Sequence, residues 1–529
     1  MKKRTCSAFV SSCVSPLCKS VQMNAHKYEI LLISGIALLI YSALSSCSFN
    51  EGDSFNFAKA LPKFDLVAES PHPPGYPIYI FLGRLLFSFT GNQLTALTWV
   101  SVVSGAMTLV PLYFLAKAMY NRETAIYTCL VVMVLPGFWL PSEKATTDVL
   151  STFLVTLGVS LLYFGTKGSD RATLFSWVVY ALSVGVRPTH LAFVPIWLYA
   201  TLKNRGLKKI IPSALAFTAT VLAWLLPVIW TTRWDRFFVA MRHVYVGTAN
   251  TDFILSRPLG LDPLERLAFT VSSIFTFALG GMLPETPGLK FPFSSKSIPP
   301  FYLLHDAILI GMIACCVLSY KRIAEKAFML LWILPHFIFV YLLGSPIHHR
   351  YYIPIFPALI LVAVPSVTSL MSRGRKLLGL SVKSAQMFRL LAMFLILGTL
   401  VAHTMPLAAR LHTDPSPVTQ LVRHVKEGYN SESTIVIVFH EYGAFDMYAR
   451  EFRYYHCRKQ LTRTIQTLRA FANEKLTVLL TSTAYEYLVR HPSIIQLEVK
   501  KIAEFYIDPR AEIEDHRITL YTIQTVRLS

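Results

Sequence analysis

Asn50-Glu51-Gly52-Asp53-Ser54-Phe55 opens a stretch of the chain, and Pro71-His72-Pro73-Pro74-Gly75-Tyr76-Pro77 leads to its end at Gly83-Arg84. The stretch follows the first long apolar run and precedes the second, so it reads as a loop between membrane segments. A carboxylate just past a span can serve as general base on an acceptor hydroxyl or amine if it lies within hydrogen-bond reach. Glu51 and Asp53 are the candidates; the plainer reading is a pair of solvated acids after a helix end. From His72 to Pro77, three prolines and a glycine fix the backbone rather than supply chemistry. They make a rigid corner that either aims His72 and Tyr76 into a site or simply launches the next helix.

Outward from this loop, the composition sets the class. The chain has 529 residues, 53% hydrophobic and only 15% charged, with a mean hydropathy of +0.48. Soluble domains carry roughly 25% charge. Apolar runs near twenty residues recur along most of the length, which predicts an all-α polytopic membrane domain. Eleven crossings are expected, at about 28–46, 93–118, 123–141, 148–166, 172–186, 189–201, 210–231, 303–320, 327–343, 351–370 and 388–406. The net charge of +20 falls largely in short loops between the runs, where the positive-inside rule places it, so a nucleic-acid partner is not indicated. Anionic lipid and phosphate-bearing substrates fit it better. The same rule puts residues 1–27 in the cytoplasm, and the loop 47–92, an insertion 232–302 and the C-terminus on the outer side of the membrane.

Within the insertion, 265–283 is expected as a half-buried or re-entrant segment; within the first loop, Gly75 to Phe89 is expected as an interfacial or re-entrant helix. The basic N-terminus before the first run reads as the flank of an uncleaved helix. The tail, 407–529, changes character: strand-length apolar runs at Ser433–Phe439, Leu476–Leu480 and Arg517–Ile523 alternate with helical patterns, a small soluble α/β domain. The eight cysteines form no zinc pattern; Cys47 and Cys457 fall on the same side, where a bridge between them is one option.

Two further clusters belong with the loop. Glu143-Lys144-Ala145-Thr146-Thr147-Asp148 joins two spans, and Asp148 begins a helix, where the helix dipole alone would favour a carboxylate. His348-His349-Arg350-Tyr351-Tyr352-Ile353-Pro354 opens a late span. An arginine fork matches phosphate oxygens, and Arg187, in the turn Arg187-Pro188-Thr189-His190, offers a second. Arg and Tyr also anchor helices at membrane boundaries, the simpler reading. His348 and His349 would need a carboxylate such as Glu143 or Asp148 to hold a divalent cation.

These residues carry a resemblance. Asp53-Ser54-Phe55-Asn56-Phe57, His72-Pro73-Pro74-Gly75-Tyr76-Pro77 and Gly83-Arg84 resemble the first outer loop of a bacterial family of unknown function related to protein O-mannosyltransferases, within the GT-C glycosyltransferase superfamily. Lys144-Ala145-Thr146-Thr147-Asp148 and Arg350-Tyr351-Tyr352-Ile353-Pro354 are similar to segments of the protein mannosyltransferase and aminoarabinose transferase types. The resemblance is strongest over about 30–200. It implies a GT-C fold and inverting transfer of a sugar from a polyprenyl-phosphate donor to a protein, lipid or glycan acceptor, with or without a divalent cation. Asp53 takes the catalytic acid/base position; where the family has a second acid this chain has Asn56. On this reading Glu51, His72, Tyr76, Glu143 and Asp148 lie on the acceptor side, and Arg187, His348, His349, Arg350 and Tyr351 hold the donor phosphate. The rival is a transporter or flippase of a lipid-linked or anionic solute, which predicts charges near the bilayer midplane and an inverted repeat. Neither is visible.

Overall fold

The architecture is seen in a computed structural model, which describes residues 15–206, 208, 210–251, 253–256, 260–285, 294–345, 349–377, 379, 381–457, 460–471, 476–489, 495–511 and 516–528. The first half comprises α1 (Ser15–Ala43), α2 (Gly52–Ala60), α3 (Pro77–Thr90), α4 (Gln93–Met119), α5 (Arg122–Val134), α6 (Pro136–Ser142), α7 (Asp148–Thr166), α8 (Asp170–Val186), α9 (Val194–Arg205), α10 (Ile210–Thr232) and α11 (Trp234–Thr251). Then come α12 (Pro263–Ser273), α13 (Pro300–Leu318), α14 (Lys326–Leu343), α15 (Phe356–Leu377) and α16 (Val382–Thr413). Among the described residues, seven helical stretches are long and apolar enough to cross a membrane, and the bent pair α5–α6 makes an eighth. The other three expected crossings are helical but shorter: Tyr28–Ala43 of α1, α8 with 17 residues and α9 with 12.

The centre of the bundle is α4, packed against α1, α3, α5 and α7. α4 buries most of its circumference and leaves one apolar stripe, Trp99, Val103, Met107 and Phe114, exposed. Two prolines shape the chain near the site. Pro136 removes a backbone donor and bends α5 from α6 by 62°; Leu135 before it is extended, with ψ 125°. Pro188 does the same to Arg187, at φ −142° and ψ 111°, and a 3-10 turn (Pro188–Phe193) then leads into α9. The 265–283 run forms most of α12, continued by one π-helical turn at Ile274–Ala278, and is not among the candidate spans. Arg266 is buried there, donating to the carbonyls of Tyr341 and Gly344.

The tail contains α17 (Pro417–Gly428), α18 (Tyr442–Tyr448), α19 (Leu461–Phe471) and α20 (Ser482–Val489) around five strands. These are β1 (Thr434–Val438), β2 (Arg453–His456), β3 (Thr477–Thr481), β4 (Ile495–Tyr506) and β5 (Arg517–Leu528), in spatial order β2-β1-β3-β5-β4. β2, β1 and β3 run parallel, while β5 is antiparallel to both β3 and β4. The tail is not held by its linker alone. Phe49, Phe55 and Phe57 share one buried apolar cluster with Val418, Leu421 and Phe445. Lys59 pairs with Asp446 at 2.9 Å, and Asn56 donates to the Tyr442 hydroxyl at 3.2 Å. Cys47 is exposed whereas Cys457 is buried in the tail's own core, and the optional bridge between them does not form.

Candidate active site

Glu51 is the N-cap of α2 and Asp53 lies in its first turn, where the exposed N–H groups favour negative charge. Arg350 is the second residue of the 3-10 turn (His349–Ile355) that leads into α15, and its fork reaches both acids. One nitrogen pairs with Glu51, and Nη2 lies 3.1 Å from Asp53 Oδ2. The side chains of Arg350 and Glu51 are only 8% and 7% exposed, whereas Asp53 is 36% exposed. The caged acid is therefore Glu51, and the acid that can meet a substrate is Asp53.

The proline corner places His72 on Asp53's other side. His72 Nε2 shares a 2.8 Å hydrogen bond with the Tyr76 hydroxyl and lies 3.6 Å from Asp53 Oδ1. Phe57 packs against both rings. Gly75 has φ +101°, and a Cβ there would meet Leu66 at 3.0 Å, so the corner needs glycine on two counts. Burial pushes the Tyr76 phenol well up, with Asp53 adding to the shift, so Tyr76 stays a hydrogen-bond donor.

A second buried pair stands beside the first. Arg187 Nη2 lies 2.7 Å from Asp148 Oδ1, and its Nε donates to Thr147 Oγ1 at 2.9 Å. The Tyr351 ring lies 5.0 Å from the Arg187 guanidinium and 5.7 Å from that of Arg350, linking the two pairs. A cavity of about 30 Å3 is lined by Glu51, Lys144, Asp148, His349, Arg350 and Arg510, with Pro136, Leu140 and Phe277 in its apolar wall.

The structure thus brings together Glu51, Asp53, His72, Tyr76, Asp148, Arg187, His349, Arg350 and Tyr351, with Asp53 and Arg350 297 positions apart in the chain. Glu143 stands aside: it is wholly buried, accepts from the Trp139 indole N–H, and does not line the cavity. Burial pushes its carboxyl well up despite that bond and nearby Lys144. His348 lies outside the described residues. Lys144, part of the Glu143–Asp148 cluster, lines the cavity, and so does Arg510, to which sequence reasoning assigned no role. Among the described residues no three His, Cys, Asp or Glu side chains converge as a metal ligand set. The carboxylates nearest the cavity face guanidinium groups instead, which does not fit a resident divalent cation.

Residues 71–230 match the family described as dolichyl-phosphate-mannose-protein mannosyltransferase. The crystal structure of the Archaeoglobus fulgidus oligosaccharyltransferase, tethered with an acceptor peptide, superposes with a TM-score of 0.54 at 14% identity, covering 86% of this chain and 69% of that one. ArnT from Cupriavidus metallidurans, solved with undecaprenyl phosphate bound, superposes with a TM-score of 0.53 at 11% identity, covering 93% of this chain and 97% of that one. The chain has the GT-C fold. No curated protein matches it. The similarity to ArnT extends over the tail as well as the bundle, so the GT-C architecture here includes both.

Proposed function

We propose that the chain is a membrane glycosyltransferase that moves a sugar from a polyprenyl-phosphate-linked donor to an acceptor at the outer face of the bacterial cytoplasmic membrane. The observation that carries this reading is Arg350, which lines a cavity together with Glu51 and Asp148, gripping both Glu51 and Asp53. A match over 71–230 to a family defined by lipid-phosphate-linked mannose supports it.

Asp53 is the base. It takes the proton from the acceptor hydroxyl or amine as that atom attacks the anomeric carbon from the face opposite the phosphate. The bond from anomeric carbon to phosphate oxygen breaks, its electron pair stays on that oxygen, and polyprenyl phosphate departs with the sugar inverted. Arg350, backed by Arg187, His349 and Tyr351, stabilises the charge that grows on the leaving oxygen. His72 and Tyr76 hold Asp53 and the acceptor in register, Glu51 fixes the Arg350 fork, and Asp148 fixes Arg187. Donor phosphate arriving at Arg350 competes with Asp53 for Nη2 and releases the carboxylate for proton transfer. Residues 1–27 lie in the cytoplasm and the tail, 407–529, lies outside, where it meets the acceptor, a protein, lipid or glycan.

The test is transfer in membranes supplied with polyprenyl-phosphate sugars and candidate acceptors. Asp53→Asn should abolish transfer while donor still binds; undiminished transfer by that variant would remove Asp53 from the mechanism.

A further inference from the structure

A second cavity lies at the other end of the bundle. α4 runs from Gln93 to Met119, and this cavity begins just beyond it, at Tyr120. Its volume is about 230 Å3, and it opens where the α4–α5 turn meets the end of α13 and the sides of α15 and α16. A single water fills only ~30 Å3, so a space of this size among polar walls is built for more than one bridging water.

The wall is made largely of hydroxyls whose protons are already committed. Ser319 Oγ donates to the Ser366 carbonyl at 3.3 Å, and Ser366 Oγ to the Val362 carbonyl at 2.8 Å. Thr368 Oγ1 donates to the Pro365 carbonyl at 3.1 Å, and Ser372 Oγ to the Thr368 carbonyl at 2.8 Å. A hydroxyl whose proton is given to a carbonyl keeps lone pairs and nothing else. A ligand that meets these oxygens must bring its own N–H or O–H groups.

The charges narrow the choice. Among the described residues of the lining, the charged ones are Glu123 and Arg389, one of each sign. Arg389 Nη1 lies 3.3 Å from Glu123 Oε2, and Glu123 also meets the Tyr127 hydroxyl. A guanidinium has several N–H donors and a carboxylate several acceptor sites, so these contacts leave both with capacity. The pair is neutral overall, so an ion of one sign meets as much repulsion as attraction. A ligand carrying both signs, with N–H donors on its positive part, satisfies each group.

The rim selects a lipid over a soluble zwitterion. Val317, Leu318 and Tyr320, beside Ser319, are exposed, and so are Phe388 and Leu390, on either side of Arg389. Apolar chains attached to the bound group can lie along these surfaces, which the bilayer already covers. We infer that this cavity holds the head group of a phospholipid with a primary ammonium, as in phosphatidylethanolamine. Its phosphodiester meets Arg389, and its ammonium meets Glu123 and the serine and threonine oxygens. The inference is independent of the glycosyl-transfer reading.

The experiment is native mass spectrometry of the delipidated full-length chain, titrated with phosphatidylethanolamine, phosphatidylcholine and phosphatidylglycerol of the same acyl chains. Phosphatidylcholine keeps both charges but has no N–H, and phosphatidylglycerol keeps the phosphate and hydroxyls but no positive charge. Wild type should hold phosphatidylethanolamine about tenfold more tightly than either, the size of losing one charge-assisted hydrogen bond. Glu123→Gln, at a part-exposed site, should remove most of that preference. Ser366→Val, which fills the wall and deletes an acceptor, should do the same; Glu123→Gln carries the test if Ser366→Val does not fold. Equal binding of phosphatidylethanolamine and phosphatidylcholine by wild type overturns the inference, and so does an unchanged preference in either folded variant. Glycerophosphoethanolamine, the head group without chains, should compete only at much higher concentration; competition at equal concentration would make the occupant a soluble solute and overturn the lipid assignment.

Discussion

The two ends of the helix bundle carry the same kinds of ion pair in opposite settings. α7 has 19 residues, which at a rise of ~1.5 Å each set Asp148 and Lys167 about 28 Å apart, close to the thickness of a bilayer core. At the Asp148 end, the pairs are made by arginine and are buried: the side chains of Arg187 and Asp148 are 11% and 2% exposed. At the Lys167 end, Lys167 and Lys203 both reach Glu325, at 3.1 and 3.3 Å, with lysine exposures of 52% and 47%. Arg122 with Glu29 and Arg389 with Glu123 complete that end. Buried arginine forks fix geometry in a low-dielectric site, whereas solvated lysines contribute mainly charge bias. On the proposed function, the first end serves chemistry and the second serves orientation in the membrane.

The comparison breaks most visibly at Asp53. Asp53→Asn should lower kcat by about 10^2–10^4-fold, as expected for loss of a general base, with little change in unfolding temperature. A drop below tenfold in the transfer assay would assign the base elsewhere. Arg187→Ala comes next. It takes the Arg187 guanidinium from Asp148, which is 2% exposed, and removing one partner of a buried pair costs about 3–5 kcal/mol. Chemical denaturation of the purified protein should show that loss, and a change under ~1 kcal/mol would mean the pair is solvated.

A smaller effect is expected from acid. Burial pushes the Asp508 carboxyl up, but the Arg510 and Arg410 guanidiniums more than offset it, so it lies below its ordinary value of 3.8. A lowered folded value stabilises docking above that ordinary value and is lost as pH falls through the folded one. Protection of the 507–511 turn against hydrogen exchange should therefore be level down to about pH 4 and fall below it, and Asp508→Asn should flatten the profile. The smallest effect lies at the far end: Glu325→Gln should cost less than ~1 kcal/mol and leave transfer unchanged, since both its partners are about half exposed. A large loss of activity there would erase the distinction between the ends.

The bundle was legible because apolar runs and prolines act locally. Pro136 and Pro188 mark their bends in the chain itself, and the loop acids, Arg187 and Arg350 announce themselves as charges at span ends. Arg510 does not: it is one arginine in a polar tail, and its place in the cavity follows from a hairpin whose turn enters another domain. β4 was missed for a related reason. Its period of two is broken by register shifts at Glu498/Val499 and Lys501/Ala503, so its apolar positions do not alternate cleanly. β2 is four residues of Arg-Tyr-Tyr-His, too short for any pattern. Glu143 misled because sequence shows charge but not direction, and its side chain turns to Trp139 rather than to the cavity.

The docking of α2 against the tail sets a clock on biosynthesis. Asn56 and Tyr442 are 386 positions apart, and chains grow at about 5–20 residues per second. The loop that holds Asp53 is therefore made tens of seconds before the helix that packs on it. Until the ribosome finishes, Phe55 and its neighbours lack their apolar cover, and the newest part of the protein completes one of the oldest.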